Sequence, residues 1–128
     1  MKVVYIAGPF RGRTAWDIEQ NIRRAEDLGY LVAQVGASPL IPHANTRYFH
    51  GSMSDAFWLD ATLELLRRCD AIVLCKGYQD SIGSLAEIAE ATRLIIPVFA
   101  GPSTLISTSM PFYGTINEWD LFHKWVKS

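Results

Sequence analysis

"DAIVLCKGYQDSIGSLAE", residues 70–87, changes character halfway along. From Ala71 to Cys75 it is an unbroken apolar run, the pattern of a strand covered on both faces. Gly77 and Ser81 then interrupt it, and "SIGSLAEIAEATRL" (81–94) continues with apolar residues at helical spacing. A doubly covered strand feeding a helix is the unit of a parallel α/β sheet. Working outward, "KVVYIAG" (2–8) is a second such strand. Thr14 is placed to cap "AWDIEQNIRRAEDLGYLVAQVG" (15–36), whose Trp16, Ile18, Ile22, Ala25, Leu28 and Leu31 repeat at helical spacing, with Gly29 or Gly36 as its end. "SPLIPH" (38–43) reads as a short strand closed by Pro42, and "NTRYFHGS" (45–52) as a loop. Ser54 begins a helix over 55–69, "IIPVFAG" (95–101) is another strand, and a polar stretch leads to a terminal amphipathic helix carrying Trp119, Phe122 and Trp125. The expected fold is one α/β domain over residues 1–128: a three-layer, doubly wound parallel sheet of four to five strands, flavodoxin-like or Rossmann-like, with right-handed crossovers.

Composition removes several function classes. The chain of 128 residues is 49% hydrophobic and 20% charged, a balance that buries a core and leaves a wet surface. Its apolar runs are too short to span a membrane and its start lacks the layout of a signal peptide, so a cytoplasmic protein is expected. Cys69 and Cys75 have no partner pattern for a disulfide or zinc site and read as core; no metal or cofactor is expected. A net charge of −1, with basic residues scattered among acids, argues against a nucleic-acid surface and leaves a small anionic ligand open.

In doubly wound sheets ligands bind beyond the carboxyl ends of the strands, where strand order reverses. That rule gathers "GPFRGR" (8–13), "PHANTRYFHG" (42–51) and "GYQDSIGSLAE" (77–87) on one rim. Gly8 and Gly12 allow close backbone approach, and Arg11 and Arg13 offer positive charge, features of a phosphate cradle or of a tight turn with solvated arginines. Ser81 and Gly83 stand at the next exit, with Glu87 on the first turns of a helix. The helix dipole is expected to keep that carboxylate ionised, as a nucleophile for glycosyl transfer needs, although a structural glutamate fits equally well. Asp60 lies between apolar neighbours, where a charge is unusual unless it faces the rim. Asp55 reads as a first-turn acid, Asp80 as a cap for the helix of Glu87, and His43 as a ligand contact or a loop histidine bonded to backbone.

Taken as a set, these residues resemble the nucleoside 2-deoxyribosyltransferase family and its relatives, the 2′-deoxynucleoside 5′-phosphate N-hydrolases, over roughly residues 2–107. "VYIAGPF" is similar to the family's first strand with its active-site tyrosine, which falls on Tyr5. "SIGSLAE" is similar to the small-x-Gly-x-Gly-x-Glu pattern at Ser81, Gly83 and Glu87, the glutamate being the family's nucleophile. The resemblance implies that Tyr5 holds Glu87 in line and that Asp60 contacts the departing base. A serine at Ser81, where transferases on free nucleosides carry aspartate, together with Arg11 and Gly12, is the pattern of phosphate-accepting hydrolases. Phe10 and Trp58 are then expected at the base. The implied activity is cleavage of the N-glycosidic bond of a (deoxy)nucleoside 5′-monophosphate through a glycosyl-glutamate. The alternatives are a transferase on free nucleosides or a non-catalytic nucleotide-binding module. Family members share sites across a dimer or larger assembly, which implies that Ser107 or Ser109 reaches a neighbour's site.

Overall fold

The computed structural model describes residues 1–49, 51–106 and 114–128. Strand β1 (Val3–Ala7) leads to helix α1 (Ala15–Val35), then β2 (Ser38–Leu40), the one-turn helix α2 (Pro42–Asn45) and α3 (Asp55–Leu66). Strand β3 (Ala71–Leu74), α4 (Ile82–Arg93), β4 (Val98–Ala100), β5 (Ile116–Asn117) and α5 (Trp119–Val126) complete the chain. The five strands form one sheet in the order β2-β1-β3-β4-β5, every pair parallel. This is the flavodoxin-like arrangement, whose order reverses between β1 and β3.

Strand parity divides the core into two layers. Successive side chains of a strand point to opposite faces. Val4, Ile6 and Val73 therefore pack with Leu28 and Val32 of α1 and Phe122 of α5. Tyr5, Ile72 and Leu74 face the other way, against Leu66 at the end of α3 and Ile88 of α4. The same alternation that buries Val4 and Ile6 beneath α1 thus sends Tyr5 toward α4. All of these residues are 7% exposed or less, and truncating one such as Ile88 or Leu66 to alanine removes about 2–5 kcal/mol.

Caps fix the helix ends. The Thr14 side chain accepts from the Asp17 N–H at 3.1 Å, and Gly36, not Gly29, closes α1. Ser54 accepts from the Phe57 N–H at 3.1 Å. The structure departs from the sequence reading in three places. Strand β2 stops at Leu40, because Pro42 opens α2: proline fits the first helical position, where no N–H is needed. Strand β5 arises in the stretch read as a polar loop; only two residues long, it carries no periodic signal, and the Asn117 amide donates to the Val98 carbonyl at 3.1 Å. Helix α3 stops at Leu66, short of the expected end near Cys69, and residues Tyr78–Asp80 form a 3-10 turn ahead of α4.

The terminal aromatic stripe packs inside the subunit. Phe122 is fully buried with its ring 5.3 Å from Phe99, and Trp119 stacks on Phe122 at 4.9 Å. Cys69 and Cys75 are free and buried, and burial pushes their thiols up to about 11 and about 12. Among the described residues no helix is long and apolar enough to cross a membrane. Ser107 and Ser109, expected to reach a neighbouring subunit, lie outside the described residues.

Candidate functional site

A cavity of about 480 Å³ opens at the carboxyl ends of β1 and β3, where the strand order reverses. Its size is that of a pocket for a small organic ligand. Glu87, 7% exposed, lies on its floor, and the Tyr5 hydroxyl donates a hydrogen bond to Glu87 Oε2. Strand parity supplies Tyr5, and the start of α4 supplies Glu87. The Ser81 side chain caps that start by accepting from the Ser84 N–H at 3.1 Å; Asp80 belongs to the preceding turn and lines the cavity without capping.

Burial works against the ionised form of Glu87 that the helix dipole was expected to favour. Burial pushes its carboxyl from 4.5 up to about 8, and the hydrogen bond from Tyr5 pulls it back only in part. Glu87 is the sixth residue of α4, beyond the first turn in which the helix dipole acts strongly, so desolvation prevails. Tyr5 is pushed well above its ordinary value, first by burial and then by the neighbouring Glu87 charge. Burial thus favours the protonated form of both groups.

Around this floor the exits of three strands meet. From β1 come Gly8, Phe10 and Arg11. Gly8 is required by packing: a Cβ there would lie 2.5 Å from Cys75 Cβ. The Asn21 side chain holds the following loop by donating to the Phe10 and Arg11 carbonyls at 3.1 and 3.0 Å. Arg11 reaches across the mouth to Asp55 at the start of α3, 2.8 Å away, with both side chains 67% exposed. The β2 exit contributes His43. Its Nε2 lies 3.1 Å from the carbonyls of both Gly8 and Pro9, so it donates, and Nδ1 is an acceptor with no partner. Burial lowers the pKa of this imidazole, keeping it neutral. Trp58 forms an aromatic wall, its ring 5.8 Å from Phe49 and 5.0 Å edge-on from Phe57. Ser81 and Gly83 line the α4 side.

Gly12, Arg13 and Asp60 are exposed and are not among the residues lining the cavity. Gly12 meets a local need, since a Cβ there would come within 2.4 Å of Asp17 Cβ, so its close approach is to α1. Asp60 is off the stripe that faces inward. Counting back from the buried Leu66 at 3.6 residues per turn gives Thr62, Leu59 and Asp55, the residues of α3 that line the cavity along with Ala56 and Trp58. The signal for Thr62 and Asp55 was thus present in the sequence as a helical count. Ser84, three residues before Glu87 on α4, also lines the cavity and is fully buried. Among the described residues no cluster of three or more His, Cys, Asp or Glu side chains is placed to hold a metal ion.

Residues 2–100 match the family model described as Domain of unknown function (DUF7768). No curated protein matches the chain. Among solved structures, a 2-deoxyribosyltransferase from the psychrotolerant bacterium Bacillus psychrosaccharolyticus is similar, with a TM-score of 0.61 and 18% identity. The alignment covers 94% of this chain and 90% of that one. At that identity the likeness is one of fold, and it extends over nearly all of both chains.

Proposed function

We propose that this chain, which belongs to the DUF7768 family, cleaves the N-glycosidic bond of a (deoxy)nucleoside 5′-monophosphate through a covalent glycosyl-Glu87 intermediate. The observation that carries the reading is the Tyr5–Glu87 hydrogen bond on the floor of a cavity walled by Trp58 and Phe10. The fold shared with a 2-deoxyribosyltransferase supports it. Ionised Glu87 attacks the anomeric carbon while the bond to the base breaks and the base leaves with the electron pair. Water then opens the glycosyl ester, releasing the sugar phosphate and restoring Glu87. Tyr5 donates to the carboxylate throughout. Asp55 and Asp80 line the mouth of the cavity, as Asp60 does not, and are placed to orient the departing base, which takes its proton from water.

The 5′-phosphate is read by Arg11, Ser81 and the open first turn of α4. Arg11 is engaged with Asp55 in the unliganded protein, so a phosphate exchanges one anionic partner for another at little desolvation cost. The site acts as an enzyme of glycosyl-transfer type without a cofactor, and a dimer completes it. The test is incubation with nucleosides and their 5′-monophosphates, ribo and deoxy, with and without a second base. Free base is expected from the monophosphates alone and not from a Glu87→Ala variant; release from free nucleosides only when a second base is present would make the protein a transferase.

One observation favours a second reading, a non-catalytic nucleotide-binding module. Burial favours the protonated form of Glu87 and Asp60 is off the cavity, and a binder needs neither an ionised glutamate nor that aspartate. Saturable binding of a monophosphate without base release at any pH up to 9 would establish it.

A further inference from the structure

Ser84 has no task in the cleavage scheme above. It is fully buried, it lines the cavity, and its hydroxyl oxygen has no hydrogen-bond partner. A buried hydroxyl without a partner is uncommon in folded proteins, because its desolvation is uncompensated. Its backbone N–H already serves the Ser81 cap, so the side chain does not help to start α4. Alanine would serve this helix position at least as well for packing and propensity. The hydroxyl therefore stands where an incoming group can complete it.

The position on α4 indicates which group. Ser81, Ser84 and Glu87 succeed one another at intervals of three residues, so they form a strip down one side of the helix, spaced by about 4.5 Å along its axis. Glu87, at the inner end, faces the anomeric carbon in the proposed reaction; Ser81, at the cap, faces the 5′ end. What lies between these in a nucleotide is the sugar ring with its hydroxyls. A sugar hydroxyl both donates and accepts, as does a serine hydroxyl, and neither carries charge into a buried place.

We infer that Ser84 reads the sugar: its hydroxyl pairs with a ring hydroxyl of the bound (deoxy)ribosyl group and makes the site selective for sugars that carry it. The inference rests on the nucleotide reading of the cavity, but not on its catalysis.

Binding is therefore measured in a Glu87→Gln background, where no cleavage occurs, by calorimetry. The ligands are 5′-monophosphates bearing each common base, with their 2′-deoxy and 3′-deoxy counterparts. For the base that binds best, one of the two deoxy forms is expected to bind about tenfold more weakly, the worth of a single neutral hydrogen bond. Adding Ser84→Ala should bring that form level with the parent. Because the substitution removes an unpartnered hydroxyl, the variant should melt no lower than its parent, so loss of selectivity would not reflect unfolding. Equal binding of all three forms, or a preference that survives Ser84→Ala, would overturn the inference, as would the absence of binding by any monophosphate. Selective binding in a protein whose wild type releases no base would uphold the role of Ser84 and reject the glycosidase reading.

Discussion

Replacing Glu87 by glutamine converts its buried position into a test of the electrostatic account. Folded Glu87 is pushed from 4.5 up to about 8, whereas in the unfolded chain it titrates at the ordinary value. Between these two values the folded protein binds more protons than the unfolded one. Stability is then fully present below about 4.5 and is lost as pH rises through about 8. The whole shift corresponds to about 5 kcal/mol, of which about 4 kcal/mol falls between pH 5 and pH 9. That is a large share of the 5–15 kcal/mol that holds a typical domain together. Glutamine resembles the protonated acid in shape, can still accept from the Tyr5 hydroxyl, and does not titrate. Other groups, such as His43, titrate alike in both proteins, so the difference between wild type and Glu87→Gln isolates this carboxyl. Urea unfolding from pH 5 to pH 9 should show the wild-type midpoint falling by about 2 M relative to the variant, for a slope of about 2 kcal/mol/M. Parallel midpoints across the range would refute the reasoning, since Glu87 would then ionise in the folded protein as easily as in water.

The same carboxyl sets the pH dependence of the reaction: as the nucleophile must be ionised, kcat/KM should rise with pH and level off above about 8. Tyr5→Phe removes the hydrogen bond that favours the charged form, so that rise should move to higher pH and kcat/KM at neutral pH should fall by about 10- to 100-fold; an unmoved profile would count against the contact. Arg11→Ala should raise KM for monophosphates about tenfold or more while leaving free nucleosides and the melting temperature unaffected, as its partner Asp55 is an exposed pair. Asp60→Asn should leave kcat/KM unchanged, whereas Asp55→Asn or Asp80→Asn should lower it about tenfold at whichever group orients the base; a strong effect at Asp60 would contradict its placement off the cavity.

The layer architecture was legible because it depends on residue types that recur. Continuous apolar runs at β1 and β3, helical spacing in α1 and α4 and the caps at Thr14 and Ser54 each carry their own signal, and the reversal rule then locates the cavity. Glu87 came with it, standing at a fixed distance from the cap of α4, whereas Tyr5 was implied only by the resemblance of "VYIAGPF" to a family's first strand. Three features escaped for different reasons. Strand β5 owes its two residues to the edge offered by β4, a tertiary cause. The protonation of Glu87 depends on how much water the packed cavity excludes, which no local pattern contains. Asp60 was chosen for its chemistry, while the helical count from Leu66 selects Thr62 and Asp55; the inward face of a helix is set by its buried end, not by its most conspicuous charge. Gly8 and Gly12 stand out in the sequence as places for close backbone approach to a ligand, and in the fold the protein groups closest to them are Cys75 and Asp17, with Gly8 also lining the cavity.

The most direct test of the covalent mechanism is the intact mass of the protein after acid quenching during turnover of a deoxynucleoside 5′-monophosphate, followed by peptide mapping. A protein heavier by one deoxyribosyl phosphate, with the added mass on Glu87 and absent from Glu87→Gln, is the expected result. Base release without any adduct on Glu87, or an adduct on another residue, would contradict it.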